Sequence, residues 1–236
     1  MRIFEDFIAA DKEIKREILH NGIVYASETY QDKDVRGNDD FLTKELMGYT
    51  FMVRNPDLEA YTAYKGLNKE WIEADFAERI SGTKVNPGEA WKHRREMWEP
   101  FLEQPGPDEE RCPMFSYSYP ERIGDQPRAV IELLKKNPTS RHGFITIYDP
   151  SIDNARRDGT RRVPCSMWYY ALIREGELTL IYNIRSNDYN GHFPYDLVLA
   201  RMMQEYLAKE IGVPVGYFIY QGGSLHCFKK DDSEIF

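Results

Sequence analysis

The strongest structural constraint in the chain is a pair of apolar runs on either side of a short polar break. The runs are 167–173, MWYYALI, and 177–184, ELTLIYNI, and Arg174-Glu175-Gly176 separates them. Both runs are rich in aromatic and β-branched residues, which pack well on a pleated surface. A short break that ends in glycine suits the turn of a β-hairpin. The sequence therefore predicts two adjacent antiparallel strands, and the rest of the fold must accommodate the sheet that they begin.

Periodicity and capping signals predict the helices. Four segments are expected to be helical: 39–52, 68–80, 126–136 and 196–211. The last of these has Asp196 in the position of an N-cap and Gly212 directly after its final turn. Prolines and glycines crowd the region 82–124, so we expect mostly loop there, with a short helix around 89–98.

Two further strands are predicted in the second half of the chain. They are 143–148, GFITIY, and 216–221, GYFIYQ, and the second is expected to run into a turn at Gly222-Gly223. Helices and strands interleave without the regular rhythm of β–α–β units. We therefore expect one α/β or α+β domain over residues 1–236, with a mixed sheet of about five or six strands.

The composition excludes several classes of protein. The 236 residues are 42% hydrophobic and 30% charged, which provides a sizeable core and argues against disorder. Asp and Glu outnumber Lys and Arg by 39 to 31, so no general affinity for nucleic acids or anionic membranes is expected. No apolar run approaches the ~18 residues of a membrane span, and the charged N-terminus lacks a signal-peptide core. Since three cysteines do not form a disulfide framework, a cytoplasmic protein is expected.

Reactive and polar residues recur at four places in the second half. They are Cys165 behind Pro164, the run Arg185-Ser186-Asn187-Asp188, Asp196 in 191–196, and His226 in 223–228. Each has a simple structural interpretation: a buried thiol, a surface ion pair, a helix cap and a core histidine. The arginine beside a serine is more specific, because a guanidinium group next to a hydroxyl suits a phosphate.

The order of these motifs resembles the thymidylate synthase family. Pro-Cys, an apolar hairpin, Arg-Ser-x-Asp, a Gly-x-x-Pro-aromatic-Asp helix start and Gly-x-x-His follow one another, and Asn-Pro-x-Ser-Arg precedes them at 137–141. Within the family the sequence is similar to phage deoxycytidylate (dCMP) hydroxymethylases, which also carry Arg-Ser-Asn-Asp, an aspartate at the helix start and Gly-Ser-Leu-His. The resemblance implies the family's fold, with a homodimer formed through the sheet.

The resemblance implies covalent one-carbon transfer from 5,10-methylenetetrahydrofolate to C5 of a pyrimidine nucleotide, with no metal. Cys165 matches the nucleophile that adds to C6, and nearby arginines are expected to lower its pKa. The segment 38–46 looks like the family's helix with the catalytic glutamate, which places Glu45 in that role. Tyr119 matches a tyrosine near the C5 proton, with Tyr117 as the alternative.

The same resemblance assigns the ligands of the two substrates. Arg185 and Ser186 match phosphate ligands, with Asn187 as a further nucleotide contact, and Asp188 matches a folate contact. His226 matches a contact to the ribose 3′-hydroxyl, while Phe228 stands where the family has a second, tyrosine, sugar contact.

Arg141 matches an arginine that the partner subunit donates, so a homodimer with shared active sites is implied. His142 stands where the family usually has another arginine, and phosphate binding is expected to be weaker or pH-dependent there.

Asp196 distinguishes the base. Uracil offers an N3–H donor and an O4 acceptor, which an asparagine amide can meet with one acceptor and one donor. Cytosine offers the reverse edge, and a carboxyl group can accept from its N4 amino group and, when protonated, donate to N3. The sequence therefore predicts a cytidylate as substrate.

Several alternatives stay open at this point. The alternatives that also transfer one carbon to C5 are thymidylate synthase, dUMP hydroxymethylase, a dCMP or CMP methylase and a CMP hydroxymethylase. Outside enzymes, an inactive relative could bind a nucleotide or RNA. The hydroxymethylase-like motifs favour water rather than hydride as the final addition.

Overall fold

A mixed seven-stranded sheet organises the residues that the computed structural model describes, which are 1–30, 33–54, 56–104, 112–156 and 162–236. Its strands are β1 (Arg2–Phe4), β2 (Ile23–Ala26), β5 (Leu42–Val53), β6 (Phe144–Thr146), β7 (Ser166–Arg174), β8 (Glu177–Asp188) and β9 (Val215–Phe228). Their order is β1-β5-β9-β8-β7-β6, and β2 also pairs with β5. The short strands β3 (Thr29–Tyr30) and β4 (Lys33–Asp34) form a separate ribbon. The mixed α/β architecture is confirmed, and the sheet has one strand more than the upper number predicted.

The hairpin that constrained the fold is confirmed. Strands β7 and β8 pair antiparallel from Ser166 to Arg174, and Arg174 lies opposite Glu177. The two loop residues, Glu175 and Gly176, have φ angles of 53° and 79°. Positive φ at both positions is the backbone of a two-residue turn whose twist matches that of the strands.

The described residues also form eight α-helices. They are α1 (Phe7–Asn21), α2 (Leu58–Lys65), α3 (Lys69–Ile80), α4 (Arg95–Trp98), α5 (Tyr119–Ile123), α6 (Gln126–Lys136), α7 (Pro150–Asp153) and α8 (Phe193–Ile211). The helices predicted over 68–80 and 126–136 are confirmed as α3 and α6. The short helix predicted around 89–98 is a 3₁₀ turn, Ala90–Arg94, followed by α4.

The prediction of a helix over 39–52 is wrong. Only Asp39–Phe41 make a 3₁₀ turn, and the following residues form β5, which lies between β1 and β2 on one side and β9 on the other. Leu46 and Phe51 are buried on this strand. Pairing with three strands decides the conformation here, because β-structure depends on tertiary neighbours more than on local pattern.

The start of the longest helix also differs from the prediction. Helix α8 begins at Phe193 with Pro194 in its first turn, a position where proline suits a helix. The backbone N–H of Asp196 donates to the carbonyl of His192 at 2.9 Å. Asp196 is therefore inside the helix rather than its N-cap, and its carboxyl group is left for other contacts. The predicted end is confirmed, since Gly212 has a φ of 88°.

Strand β9 continues through the predicted turn at Gly222-Gly223. A Cβ atom on Gly223 would stand 2.7 Å from the carbonyl oxygen of Arg185 in β8, closer than real contacts allow. The glycine pair thus allows close approach of two backbones rather than a reversal of the chain.

The helices pack against one face of the sheet. Phe7 of α1 lies 5.4 Å from Phe218 of β9, and Phe193 of α8 lies 5.4 Å from Tyr220, ring centre to ring centre, with all four rings buried. Burying each such side chain contributes roughly 1.5–3 kcal/mol. No helix in the described ranges combines the length and apolarity needed to cross a membrane.

Residues on the opposite face of the sheet are less covered. Met47 and Phe144 are 67% and 42% exposed, and the alternate residues Tyr170, Ile181 and Ile219 are half-buried. An apolar face of this kind, built from several strands, is a candidate interaction surface.

Candidate active site

A cavity of about 420 Å³ opens where β8 and β9 end and α8 begins. Eight of the eleven predicted site residues line it: Tyr119, Cys165, Arg185, Ser186, Asn187, Asp188, Asp196 and His226. The topology explains this convergence, because β8 and β9 run parallel and deliver their final residues to the same edge of the sheet.

Cys165 is held by the neighbouring strand. Its carbonyl accepts from the backbone N–H of Arg185 at 2.9 Å. The guanidinium group of Arg185 donates from Nε to the Pro164 carbonyl at 2.9 Å and from Nη2 to the Val163 carbonyl at 3.2 Å. The same Nη2 lies 3.7 Å from the Cys165 thiol. Arg185 therefore fixes the segment that carries the thiol and places a positive charge beside it.

Two opposing effects act on the thiol. Burial raises the pKa of Cys165 above its usual value, while the charges of Arg185 and Arg162 lower it. The predicted effect of the arginines is present, but burial outweighs it and the resting thiol is protonated at neutral pH.

Asp196 faces into the cavity from the first turn of α8. Burial raises the pKa of this carboxyl group to about 7, and the nearby charges of Arg79 and Arg94 only partly offset the effect. A carboxyl group with this pKa is present in both protonation states near neutral pH. It can therefore act as donor and acceptor at once, or as an acceptor only.

Helix α3 contributes cavity residues that the sequence analysis did not identify. Trp71, Asp75 and Arg79 line the cavity, one helical turn apart. Nε of Arg79 lies 2.5 Å from Oδ2 of Asp75, and its Nη1 donates to the hydroxyl of Tyr169 at 3.3 Å. The signal was present in the sequence, because two charged residues share the helix face of buried Trp71 at i, i+4 and i+8.

An aromatic wall lines another side of the cavity, formed by Trp71, Trp91 and Trp98. Trp98 stacks on His192 with ring centres 5.5 Å apart and planes 28° apart. Burial lowers the pKa of His192 to about 4, so this ring is neutral at physiological pH. Within the described residues, the indole N–H groups of Trp91 and Trp98 are buried without a partner. Such a wall suits a flat heteroaromatic ring that offers hydrogen-bond acceptors.

The far end of the cavity carries His226. Its Nδ1 lies 3.1 Å from the Ser224 hydroxyl, and burial lowers the pKa of His226 to about 4. Phe228 packs edge-on against Tyr30 at 5.3 Å, so the wall around this histidine is aromatic. Burial also raises the pKa of Asp188, on the same side, to about 6.

Tyr119 belongs to a chain of hydroxyl groups behind the thiol. The Ser166 hydroxyl donates to the Tyr119 hydroxyl at 3.3 Å and lies 2.7 Å from the Tyr182 hydroxyl. Burial raises the pKa of Tyr119 well above its usual value, so the phenol stays neutral. Tyr117, the alternative, also lines the cavity, with its ring 5.8 Å from that of Tyr119.

Three predicted residues do not line the cavity. Glu45 lies on strand β5 rather than on the predicted helix, in register with His226 of β9. Arg141 and His142 are exposed just before β6, where the Arg141 carbonyl accepts from the Tyr170 hydroxyl at 3.1 Å. The described ranges also contain no group of three or more His, Cys, Asp or Glu residues that could hold a metal ion.

Comparison with known proteins gives a consistent result. A family model described as thymidylate synthase matches residues 63–235. A Methanosarcina mazei protein provisionally named a thymidylate synthase is 26% identical over 204 residues, which are 84% of this chain and 78% of that protein. The deoxyuridylate hydroxymethyltransferase of Bacillus phage SP01 is 37% identical over 109 residues, which are 45% of this chain and 28% of that enzyme.

A solved structure shares the fold. Thermostable thymidylate synthase A from Bacillus subtilis superposes with a TM-score of 0.68 at 18% identity, covering 93% of this chain and 78% of that one. At this identity the likeness concerns the fold alone.

Proposed function

The chain belongs to the thymidylate synthase family, and from that premise we propose that it hydroxymethylates dCMP at C5, with 5,10-methylenetetrahydrofolate as the one-carbon donor. Folate-dependent transfer to C5 of a pyrimidine nucleotide is the chemistry of the family. The choice of cytosine and the addition of water are the proposal.

The observation that carries the proposal is the carboxyl group of Asp196 in the cavity that also holds Cys165. A protonated carboxyl group donates to N3 of cytosine and accepts from its N4 amino group, which satisfies both positions. Its pKa of about 7 makes that state available at neutral pH. A base with one buried hydrogen-bonding group left unpaired would bind less tightly by about 1–3 kcal/mol, which is enough to select between bases.

The chemical steps need few protein groups. The Cys165 thiolate adds to C6, which makes C5 nucleophilic, and C5 then forms a bond to the donor's methylene carbon as one of that carbon's two bonds to nitrogen breaks and the freed nitrogen takes up a proton. Loss of the C5 proton and cleavage of the remaining methylene–nitrogen bond release tetrahydrofolate and leave an exocyclic methylene on the base. Water adds its hydroxyl group to that carbon and gives up a proton while the thiolate leaves C6, which restores the 5,6 double bond.

The cavity provides suitable groups for both substrates. Arg185 and Ser186 present a guanidinium group and a hydroxyl group, as a phosphate requires. Neutral His226 can donate to or accept from a sugar hydroxyl group. The walls formed by Trp91 and Trp98 fit the flat ring of a folate, with two indole N–H groups free for its acceptors.

We also propose a homodimer in which each active site uses Arg141 of the partner subunit. The apolar, incompletely buried face of the sheet supports a dimer that pairs these faces. Arg141 is exposed at the β6 end of the sheet and outside its own cavity, as a donated residue must be.

Hydroxymethylation of dUMP is the second candidate. The phage SP01 enzyme, 37% identical over 109 residues, is named for that substrate. A protonated Asp196 could accept from N3–H of uracil and donate to O4, so its carboxyl group fits this base as well. Cytosine is favoured by the motifs that the sequence shares with phage dCMP hydroxymethylases: Arg-Ser-Asn-Asp, the aspartate at the helix start and Gly-Ser-Leu-His.

Release of tritium from [5-³H]dCMP and from [5-³H]dUMP, each with methylenetetrahydrofolate, tests the proposal. We expect rapid release from dCMP and a product whose mass corresponds to 5-hydroxymethyl-dCMP. Cys165→Ser is the control, and it should abolish release while the variant still binds dCMP. Release from dUMP alone would replace the proposed substrate, and a methylated product would replace water by hydride as the final step.

A further inference from the structure

A buried arginine on α3 shares the cavity with the group that is proposed to read the base. Arg79 is only 3% exposed, and it lines the cavity together with Asp75 and Asp196. Besides the ion pair with Asp75 at 2.5 Å, its guanidinium carbon lies 4.4 Å from the ring centre of Tyr119. These contacts and the hydrogen bond to Tyr169 fix the arginine in one position.

Several titratable groups on surrounding elements interact with Asp196: Asp75 and Arg79 of α3, Arg94 of the 3₁₀ turn, Tyr119 of α5, Cys165, Tyr169 of β7, Tyr182 of β8 and Tyr220 of β9. Burial raises the pKa of the thiol and of each of these tyrosines, so they are neutral near pH 7. On α8 itself, Tyr195 lies under the Arg94 guanidinium at 4.0 Å, and His192 at the N-cap is neutral.

We propose that the Asp75–Arg79 pair is a positioning device that sets the charge of Asp196 and thereby prepares the cavity for cytosine. The inference rests on the function proposed above, in which Asp196 reads the base. Burial raises the pKa of Asp75 and the charge of Arg79 lowers it. While the two groups form their ion pair, Asp196 lies beside a pair with little net charge. A lone buried arginine would instead hold Asp196 as a carboxylate, which accepts hydrogen bonds but cannot donate one to N3.

Removing the anion and removing the cation of the pair should shift the midpoint of Asp196 ionisation in opposite directions. Asp75→Asn removes an anion and leaves Arg79 unbalanced, so the midpoint of Asp196 ionisation should fall by about one to two pH units. Arg79→Gln removes the cation and leaves two carboxyl groups close together, so the midpoint should rise by about one unit or more. The double variant removes both charges and should titrate near wild type, and it leaves no lone buried charge to prevent folding.

Carbon-13 NMR of protein labelled at the aspartate carboxyl groups measures these midpoints without turnover. The spectrum of Asp196→Asn identifies the signal. Glu73→Gln is the matched control, because Glu73 is an exposed carboxylate on the same helix and should not change the midpoint. A purely structural ion pair would lower the melting temperature without producing shifts of opposite sign.

A second measurement connects the charge to the base. The dissociation constant for dCMP is measured against pH, and this measurement needs no turnover. In Asp75→Asn the affinity for dCMP should fall about 10-fold at pH 7, because an ionised Asp196 offers no donor to N3, and it should return as the pH is lowered.

The experiments distinguish failure of this inference from failure of the proposed function. An unchanged Asp196 midpoint in both folded single variants overturns the inference even if the wild type hydroxymethylates dCMP. If neither single variant folds, a double-variant midpoint more than about one pH unit from wild type overturns it, since the pair would not be neutral towards Asp196. Opposite shifts in an enzyme that turns over only dUMP would instead refute the proposed substrate and leave the role of the pair intact.

Discussion

At the scale of single residues, Asp196 shows how position changes the meaning of a side chain. As an N-cap it would hydrogen-bond to the helix backbone, and Asn would replace it with little effect. Inside the first turn of α8, its carboxyl group belongs to a cavity where burial raises its pKa to about 7. A change to Asn then alters the hydrogen bonds that the cavity offers to the base rather than the stability of the helix.

Asp196→Asn should shift preference from dCMP towards dUMP. The amide can accept from N3–H and donate to O4 of uracil. The expected change in the ratio of kcat/KM is about 30- to 1000-fold, or ~2–4 kcal/mol. An unchanged ratio in a folded, active variant would show that Asp196 does not read the base.

Melting temperature is the control for this variant. The native pKa of Asp196, about 7, is above that of an unfolded aspartate, ~3.9, so the native state binds the proton more tightly. The wild type should therefore lose stability as the pH rises from about 4 to 7 through this group, and Asn is exempt from that loss. Hence the variant should gain in melting temperature relative to wild type over this range.

The residues that a single short motif carries are among those that line the cavity. Arg185 to Asp188 are contiguous, and Cys165 and His226 each follow a recognisable pattern. The Asp75–Arg79 pair escaped prediction because it meets Asp196 only in the folded chain, more than a hundred residues away. The spacing of Trp71, Asp75 and Arg79 indicates that they share one helix face, but no property of α3 alone indicates which groups that face will lie near.

At the scale of elements, close approach between β8 and β9 shapes the site. Gly223 has room for no side chain, because its Cβ would meet the Arg185 carbonyl at 2.7 Å. Arg185 in turn holds the Cys165 segment through two carbonyl groups. The backbone spacing of two strands therefore determines where the thiol lies.

Gly223→Ala should separate these strands. We expect a loss of about 1–3 kcal/mol in the free energy of unfolding, measured with urea, and a clear rise in KM for the nucleotide. Gly212→Ala is the matched control: it strains the left-handed end of α8, where a Cβ has open space. The control should lose stability without a change in KM, and equal KM effects in both variants would contradict the proposed coupling.

The elements that sequence patterns placed correctly are those with their own turn or cap signals, such as the β7–β8 hairpin and α6. The sequence pattern of segment 39–52 predicted a helix wrongly, because over so short a stretch its apolar residues fit the period of a strand as well as that of a helix. Its partners β1, β2 and β9 come from distant parts of the chain, and they decide in favour of a strand.

At the scale of the whole molecule, the proposed dimer predicts complementation. Cys165→Ser and Arg141→Ala should each be inactive as homodimers. In a mixed dimer, one site combines an intact Cys165 with an intact Arg141 from the other subunit, so about half of the wild-type activity per dimer should return. Tritium release from purified heterodimers with two different tags measures this. An inactive heterodimer would mean that each site is built from one chain.

The position of β9 has a consequence for the synthesis of the protein. Among the described strands this one comes last in sequence, yet it lies between β5 and β8 at the centre of the sheet. Strand β5 ends at Val53 and β8 ends at Asp188, so both are synthesised before β9 begins at Val215. Until β9 arrives, two twelve-residue strand edges stay unpaired, and such edges promote aggregation. The two halves of the sheet can therefore join only after β9 has been synthesised, and shielding of those edges until then should raise the yield of folded protein.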